Sequence, residues 1–358
     1  MQVTIGLMLK VAINGFGRIG RAAFKIALEK FPQEVEVVAI NDLTDPHILA
    51  HLLQFDSAFG RWDKEVFADD NSITVDGKQY PIFAEKVPAN IRWGDIGAEI
   101  VIESTGKFVD EEGMKQHLLG GAKKVVLSAP CKTGNVPTYI IGVNHFRYQG
   151  EPLINNGSCT TNCVAPIAAI MDEKFGVLKA LMTTTHAVTA EQNLVDGPPP
   201  GGKSQDLRRA RAAYTNIIPT TTGAAVATTE AIPTLKGLFD GRALRVPVID
   251  GSITDFTFLV KKKTTVEEVN QAFKDAAGGE RWQGIITWSD DSLVSSDIIG
   301  KSESAIVDLP LTQVVDGDLI KILAWYDNEW GYSNRLVEQV INIGKVKDTP
   351  LSAPATPD

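Results

Sequence analysis

The chain has 358 residues, 44% hydrophobic and 22% charged, with a net charge of −9 and a pI near 5.2. That is the composition of a soluble globular protein of about two domains, and the acidic balance argues against a nucleic-acid binder. No apolar run reaches the roughly 18 residues of a membrane span, and three cysteines in this length are no disulfide framework, so a reducing cytoplasm is the expected compartment.

The opening MQVTIGLMLKVAI has no basic residue before Lys10 and no small-residue cleavage site, so it reads as the lead-in to a strand and not as a signal peptide. Leu9–Ile13 is a short buried strand. Arg21–Lys30 is a helix with Ala22, Ala23, Ile26 and Ala27 in one stripe, and Val35–Ile40 is the next strand. Strand, helix and strand within about 30 residues form a parallel βαβ unit. Glu99–Glu103, Lys124–Ser128 and Thr138–Val143 extend an open α/β sheet to about residue 150.

Between the first strand and helix lies NGFGRIG, in which Gly15, Gly17 and Gly20 fit G-x-G-x-x-G. Position between a strand and a helix is what gives this short pattern meaning. The first glycine allows a tight turn, the second a close approach of backbone to a pyrophosphate, and the third tight helix–strand packing. The phosphates then rest on the unpaired N–H groups of the helix start. Asp42 ends the second strand, where a carboxylate accepts hydrogen bonds from a ribose and repels a 2′-phosphate, so NAD is expected over NADP.

NNGSCTTNCVAP places Cys159 and Cys163 four residues apart. Zinc would need two further ligands, and only Cys131 remains among the cysteines, so no metal is expected. Val164, Ile167, Ala168 and Met171 have helical spacing, with Ser158 or Thr160 as candidate cap. Cys159 then lies at the positive end of a helix, where its thiol pKa falls, and Cys163 one turn deeper as a buried small residue. Pro166 either kinks this helix or lies in its first turn. A nucleophilic thiol needs a base. Of the five histidines, His47 and His51 share a helix, His117 lies in a polar helical stretch, His145 follows a strand, and His186 sits in the strand TTTHAV.

Beyond Leu178 the pattern changes to longer Thr- and Val-rich strands, Ala180–Val188, Ile253–Val260, Ala305–Asp308 and Leu319–Tyr326, with helices such as Val266–Ala277 between them. This reads as an α+β domain with an antiparallel or mixed sheet. PPPGGKSQ opens a long irregular loop. Ser333–Gly344 is a helix stopped by Gly344, and the tail LSAPATPD is loose.

NGFGRIG, NDL, SCTTNC, HAVT, IPTTTGAA, LRVP and WYDNEWGYSNR occur in this order. From about Lys10 to Gly344 the chain closely resembles the phosphorylating glyceraldehyde-3-phosphate dehydrogenases. The resemblance implies a Rossmann-type NAD-binding domain over 1–158 and an α+β catalytic domain over 159–328. A C-terminal segment, 329–358, contributes a helix that packs back on the first domain, and then the tail. It implies Cys159 as nucleophile and His186 as base, oxidising glyceraldehyde 3-phosphate through a hemithioacetal and a thioester that inorganic phosphate cleaves.

By the same resemblance Thr189, Glu191 and Arg245 receive the substrate phosphate, and Ser158, Thr160, Thr222 and Gly223 the attacking phosphate. Asn328 holds the nicotinamide carboxamide, while Arg18, Ile19, Ser104, Thr105 and Ser128 line the cofactor. The loop after Asp196 resembles one that reaches a neighbouring subunit in a homotetramer, and Leu43 with Pro198 matches the NAD-preferring version. Three features depart from the family pattern: PPPGGKSQ is longer and richer in glycine, Val188 stands where an aromatic is common, and VPVIDGSITDF replaces the frequent VPTPNVSVVDL. The alternatives are an erythrose-4-phosphate dehydrogenase that hydrolyses the thioester, and an NAD-binding scaffold with an RNA or protein partner.

Overall fold

The structure is a computed structural model that describes residues 8–199 and 206–346. The first seven residues, most of PPPGGKSQ and the tail lie outside the described residues. Among those described, no helix is long and apolar enough to cross a membrane.

Two eight-stranded sheets carry the architecture. In the first, the order is Leu153–Asn155, Lys124–Leu127, Ile100–Glu103, Leu9–Asn14, Val35–Asn41, Lys78–Phe83, Ser72–Val75 and Val66–Asp69. The first six are parallel and the last two add an antiparallel edge. Val11 to Asn14 are all buried, as expected of a central parallel strand covered on both faces. Its neighbours are Val35–Asn41 on one side and Ile100–Glu103 on the other, so strand order reverses there and opens a crevice at the carboxyl ends.

The second sheet runs Ile218–Thr220, Phe239–Arg245, Val177–His186, Ser252–Val260, Leu319–Tyr326, Ala305–Asp308 and Ile286–Ser289, with Gln313–Val315 beside Leu319–Tyr326. Most pairings are antiparallel. Val177–His186 with Phe239–Arg245, and Ile286–Ser289 with Ala305–Asp308, are parallel. Alternate residues of Ser252–Val260 are buried against the helix Cys159–Phe175 and its neighbours. The alternate set on the other face, Leu181 and Leu319 among them, is exposed or half-buried.

The C-terminal helix Trp330–Lys345 buries Leu336, Val337 and Val340 in the same core as Val11 and Ile13, against the helix Arg18–Lys30. Cys159 touches both cores and therefore lies at the seam between the two sheets' halves.

The structure departs from the sequence reading in two elements. Thr138–Val143 is not a strand beyond one bridge from Thr138 to Asn155. The Asn144 side chain accepts from Ile140 N–H at 2.7 Å and donates to Thr138 C=O at 2.8 Å, taking the groups a ladder would use. Gly142, at φ +83°, turns the chain. Gly344 does not stop the last helix, which continues to Lys345. It is a contact point, because a Cβ there would lie 2.3 Å from Leu9.

Candidate active site

The crevice at the strand reversal forms a cleft of about 300 Å3 lined by Gly15, Gly17, Asp42, Leu43, Ser104 and Thr105, with Lys107 at its rim. Gly15 has φ +94°, and any Cβ on it would meet Thr105 N at 2.6 Å. A Cβ on Gly20 would lie 2.1 Å from Gly15 O, so the helix can start this close to the turn only with glycine there. By contrast nothing lies near the Cβ position of Gly17. Gly17 caps the helix Arg18–Lys30 with no side-chain hydrogen bond, leaving the first N–H groups for a ligand.

Asp42 faces this turn. It accepts Phe16 N–H at 2.7 Å on one oxygen and Thr44 N–H at 2.9 Å on the other. The carboxylate thus ties the second strand to the glycine loop and keeps spare lone pairs toward the cleft. Ser104 donates to Gly15 O at 2.8 Å, and Thr105 N–H is held by Glu103 at 2.8 Å. Ser128 is half-buried behind them, its N–H on Glu103 O, and Ile19 packs into the first core.

Arg18 is turned away from the cleft. Its guanidinium forks onto both oxygens of Asp56, at 3.0 and 3.1 Å, and donates to Glu329. Burial alone would lower its pKa, but the bonds to Glu329 and Asp56 outweigh this and raise it. Glu329 caps the C-terminal helix, so Arg18 binds that helix to the glycine turn.

Cys159 is the first residue of the helix Cys159–Phe175, and Ser158 caps it by accepting Thr161 N–H at 3.1 Å. Pro166 lies inside this helix. Cys163 is fully buried, and burial raises its thiol pKa. His186 ends the strand Val177–His186 and points its Nε2 at the Cys159 sulfur, 3.3 Å away. Its Nδ1 faces Ala187 O at 2.7 Å and Arg245 Nη1 at 2.7 Å. Arg245 stands directly opposite His186 in the neighbouring parallel strand.

The sulfur lies deep below the surface although the residue keeps some opening to the cleft. Burial raises the thiol pKa, while Arg245 and hydrogen bonds from Thr160 pull it down. Burial, then Arg245, lowers His186 to about 3. The sequence expectation that a helix end and a nearby imidazolium lower the thiol pKa leaves out burial, which raises it. Burial opposes the helix end, and the charged form needs the partner to ionise with it.

Beyond Arg245 the polar residues converge on Glu191, whose Oε1 lies 3.7 Å from Arg245 Nη2 and 3.3 Å from Arg209 Nη1. Arg209 also donates to Thr220 Oγ1 at 2.9 Å. The Thr189 hydroxyl is buried without a partner among the described residues. Thr222 accepts Ala224 N–H at 3.2 Å, and Gly223 caps the helix Ala224–Ala231, which packs against the helix of Cys159. The Thr160 hydroxyl turns inward to Tyr326, at 2.9 Å. Asn328 is buried and its Oδ1 receives the Ser252 hydroxyl at 2.6 Å.

Comparison with known proteins matches residues 9–111 to "Glyceraldehyde 3-phosphate dehydrogenase, NAD binding domain" and 158–328 to "Glyceraldehyde 3-phosphate dehydrogenase, C-terminal domain". A glyceraldehyde-3-phosphate dehydrogenase of Streptomyces coelicolor is 50% identical over 94% of this chain and 99% of its own. One from Geobacillus stearothermophilus is 48% identical over 93% and 97%, and one from Bacteroides fragilis 45% over 92% and 98%. The chain belongs to the glyceraldehyde-3-phosphate dehydrogenase family. It is an NAD-dependent oxidoreductase, and the open N–H groups and bare Gly17 in the cleft fit that cofactor's pyrophosphate.

Within this family member, three residues of the site escaped sequence reasoning. Arg209 lay in KSQDLRRARA as one charge among several, and only the fold brings it to Glu191. Tyr326 bonds both Thr160 and Thr184 behind Cys159. His117 is fully buried: Trp93 Nε1, a donor only, faces its Nδ1 at 3.1 Å, so its Nε2–H donates to Glu103 at 3.0 Å. Its helical stretch is polar only in part, and the buried side gave no sign of that partner.

Proposed function

We propose that the protein oxidises and phosphorylates glyceraldehyde 3-phosphate to 1,3-bisphosphoglycerate. The observation that carries this reading is the 3.3 Å approach of His186 Nε2 to a sulfur at the first position of a helix. Cys159 attacks the aldehyde carbon, and its proton passes to His186 Nε2. The separated charges are favoured by their mutual attraction and by the helix end, against the cost of burial. The Cys159 N–H and the Nε2–H then donate to the oxyanion. NAD, when bound, supplies the hydride acceptor. Cys159 is left acylated as a thioester, which inorganic phosphate attacks to release the acyl phosphate.

We assign the substrate phosphate to Arg245, Thr189 and Glu191, and add Arg209. Two guanidiniums already gather one carboxylate there, and the unpaired Thr189 hydroxyl suits a phosphate oxygen. Ser158, the Thr160 backbone, Thr222 and Gly223 form the second anion site, beside the sulfur and at a helix start. Asp42, Ser104, Thr105, Ser128 and Asn328 hold the cofactor, with Ile19 and Arg18 acting from behind the turn.

A homotetramer in the cytoplasm is the expected assembly and location. The half-exposed face of the second sheet, with Leu181 65% and Leu319 41% exposed, offers an apolar surface to another copy. All three cysteines are free thiols, which suits a reducing compartment.

NADH formation from glyceraldehyde 3-phosphate, with and without inorganic phosphate, tests this reading. Turnover should require phosphate or arsenate. Turnover indifferent to phosphate, or faster with erythrose 4-phosphate, would replace it with the thioester-hydrolysing alternative.

A further inference from the structure

Three strand ends meet beside His186. The strand Val177–His186 ends at the base, and Ser252–Val260 begins next to it, Thr185 opposite Ile253. On its other side Leu319–Tyr326 ends, with Tyr326 opposite Ser252. Asn328 lies two residues beyond that end. Ser252 is therefore the one position in the middle strand that touches both neighbours where they leave the sheet.

Its hydroxyl is 1% exposed with its residue and is used on both sides. Ala187 N–H donates to Ser252 Oγ at 3.0 Å, and the hydroxyl lies 2.6 Å from Asn328 Oδ1. A serine hydroxyl has one hydrogen. With the Ala187 N–H spent on a lone pair, that hydrogen goes to Oδ1. The amide is then fixed with its oxygen inward, and Asn328 Nδ2 makes no hydrogen bond among the described residues.

We infer that Ser252 is a positioning residue for hydride transfer, orienting the Asn328 amide so that its N–H groups face the nicotinamide carboxamide oxygen. The inference rests on the reading of Asn328 as the carboxamide's partner. Through Ala187, the residue after the base, the same hydroxyl also keeps that amide in register with His186. Both the acid–base group and the cofactor clamp then refer to one buried oxygen, which suits a reaction in which small displacements are costly.

The carboxamide offers a C=O acceptor and an NH2 donor, whereas 3-acetylpyridine adenine dinucleotide keeps the C=O and lacks the NH2. An Asn328 that only donates treats the two alike at this point. An Asn328 free to flip can accept from NH2 and so favours NAD. In Ser252→Ala, KM for NAD should rise about 10-fold, the loss of one buried hydrogen bond. The kcat/KM of the analogue relative to NAD should also fall, with alkylation of Cys159 slowed only slightly through the Ala187 tie and Ser252→Thr close to wild type.

Should Ser252→Ala fail to fold, Ser252→Cys keeps the volume with a weak donor and takes its place. Asn328→Ala is the control for the underlying reading. If Asn328→Ala raises KM for NAD and Ser252→Ala leaves both KM and the analogue ratio unchanged, the positioning role is overturned while the Asn328 reading stands. If Asn328→Ala itself changes neither, the carboxamide role of Asn328 falls, and the inference falls with it.

Discussion

Arg245 reaches across from the adjacent strand to bring its Nη1 within 2.7 Å of His186 Nδ1. That nitrogen also faces Ala187 O at 2.7 Å, and it cannot accept from Arg245 and donate to Ala187 at once. A phosphate that draws Arg245 toward Glu191 and Thr189 leaves Nδ1–H on Ala187 and Nε2 free to accept the thiol proton. Arg245→Ala should raise KM for glyceraldehyde 3-phosphate about 100-fold, as expected for a lost charge-assisted pair of bonds, and cost unphosphorylated glyceraldehyde far less, the remainder being Arg245's pull on the Cys159 thiol and on His186. Inorganic phosphite added with glyceraldehyde should stimulate the first NADH turnover in the wild type and not in the variant. Equal losses with both aldehydes would mean that Arg245 does not meet the phosphate.

His186→Asn removes the partner with which the thiol ionises. Burial, which already pushes the Cys159 pKa upward, is then opposed only by Arg245, the Thr160 bonds and the helix end. Alkylation by iodoacetamide at pH 7 should slow by about 10- to 100-fold, one to two units of thiol pKa, and its pH profile should move up. A variant alkylated at the wild-type rate and profile would show that the imidazole does not govern the sulfur.

How much of this was legible in sequence depends on where each constraint resides. The glycine turn is written locally: Gly15 and Gly20 are required by a backbone angle and a 2.1 Å approach, and both act within a few residues. The Ser158 cap and the buried Cys163 follow from helical spacing in the same way. The contact of Cys159 with His186 is different. It depends on which strand ends lie side by side; the sequence offered His186, in a Thr-rich strand of the thiol's own domain, as a candidate among five histidines, and the family resemblance decided it. Arg209 and the Glu103–His117 pair were hidden because a charge in a loop and a histidine in a helix carry no mark of their distant partners. The Thr138–Val143 segment misled because its apolar run is real, but Asn144 takes its hydrogen bonds and the side chains fill the second core.

Asp42 has two duties that a substitution separates. It holds Phe16 N–H in the glycine loop at 2.7 Å, and in the proposed reading its carboxylate also repels a 2′-phosphate. Asp42→Ala should therefore improve NADP while weakening NAD, shifting the ratio of their kcat/KM by about 100-fold with roughly half of the logarithm from each term. Asp42→Asn keeps an acceptor for Phe16 and should recover most NAD affinity without restoring discrimination. A ratio unchanged in both variants would mean that the carboxylate does not face the ribose.

Asp250 and Asp327, the residue before Asn328, are both buried and face each other, and the frequent family motif has asparagine at the first of these positions. Asp327 accepts the N–H groups of Gly300, Glu329 and Trp330, whereas Asp250 Oδ2 finds no N–H or O–H donor among the described residues. Burial first, then the charges of Asp327 and Glu329, push Asp250 up to about 9, so it holds a proton and donates it to its neighbour. An unfolded aspartate titrates near 3.9. Below about pH 4 both states are protonated and the site is neutral to stability. Between about pH 4 and 9 the folded state carries a proton that the unfolded state has lost, so stability falls as pH rises, by up to about 1.4 kcal/mol per unit. Asp250→Asn supplies a permanent N–H donor and removes that slope. Urea unfolding of both proteins from pH 5 to 9, at one protein concentration because assembly shifts the midpoint, should give midpoints that diverge with pH in favour of the variant. Parallel midpoints across this range would mean that Asp250 is already ionised in the folded protein.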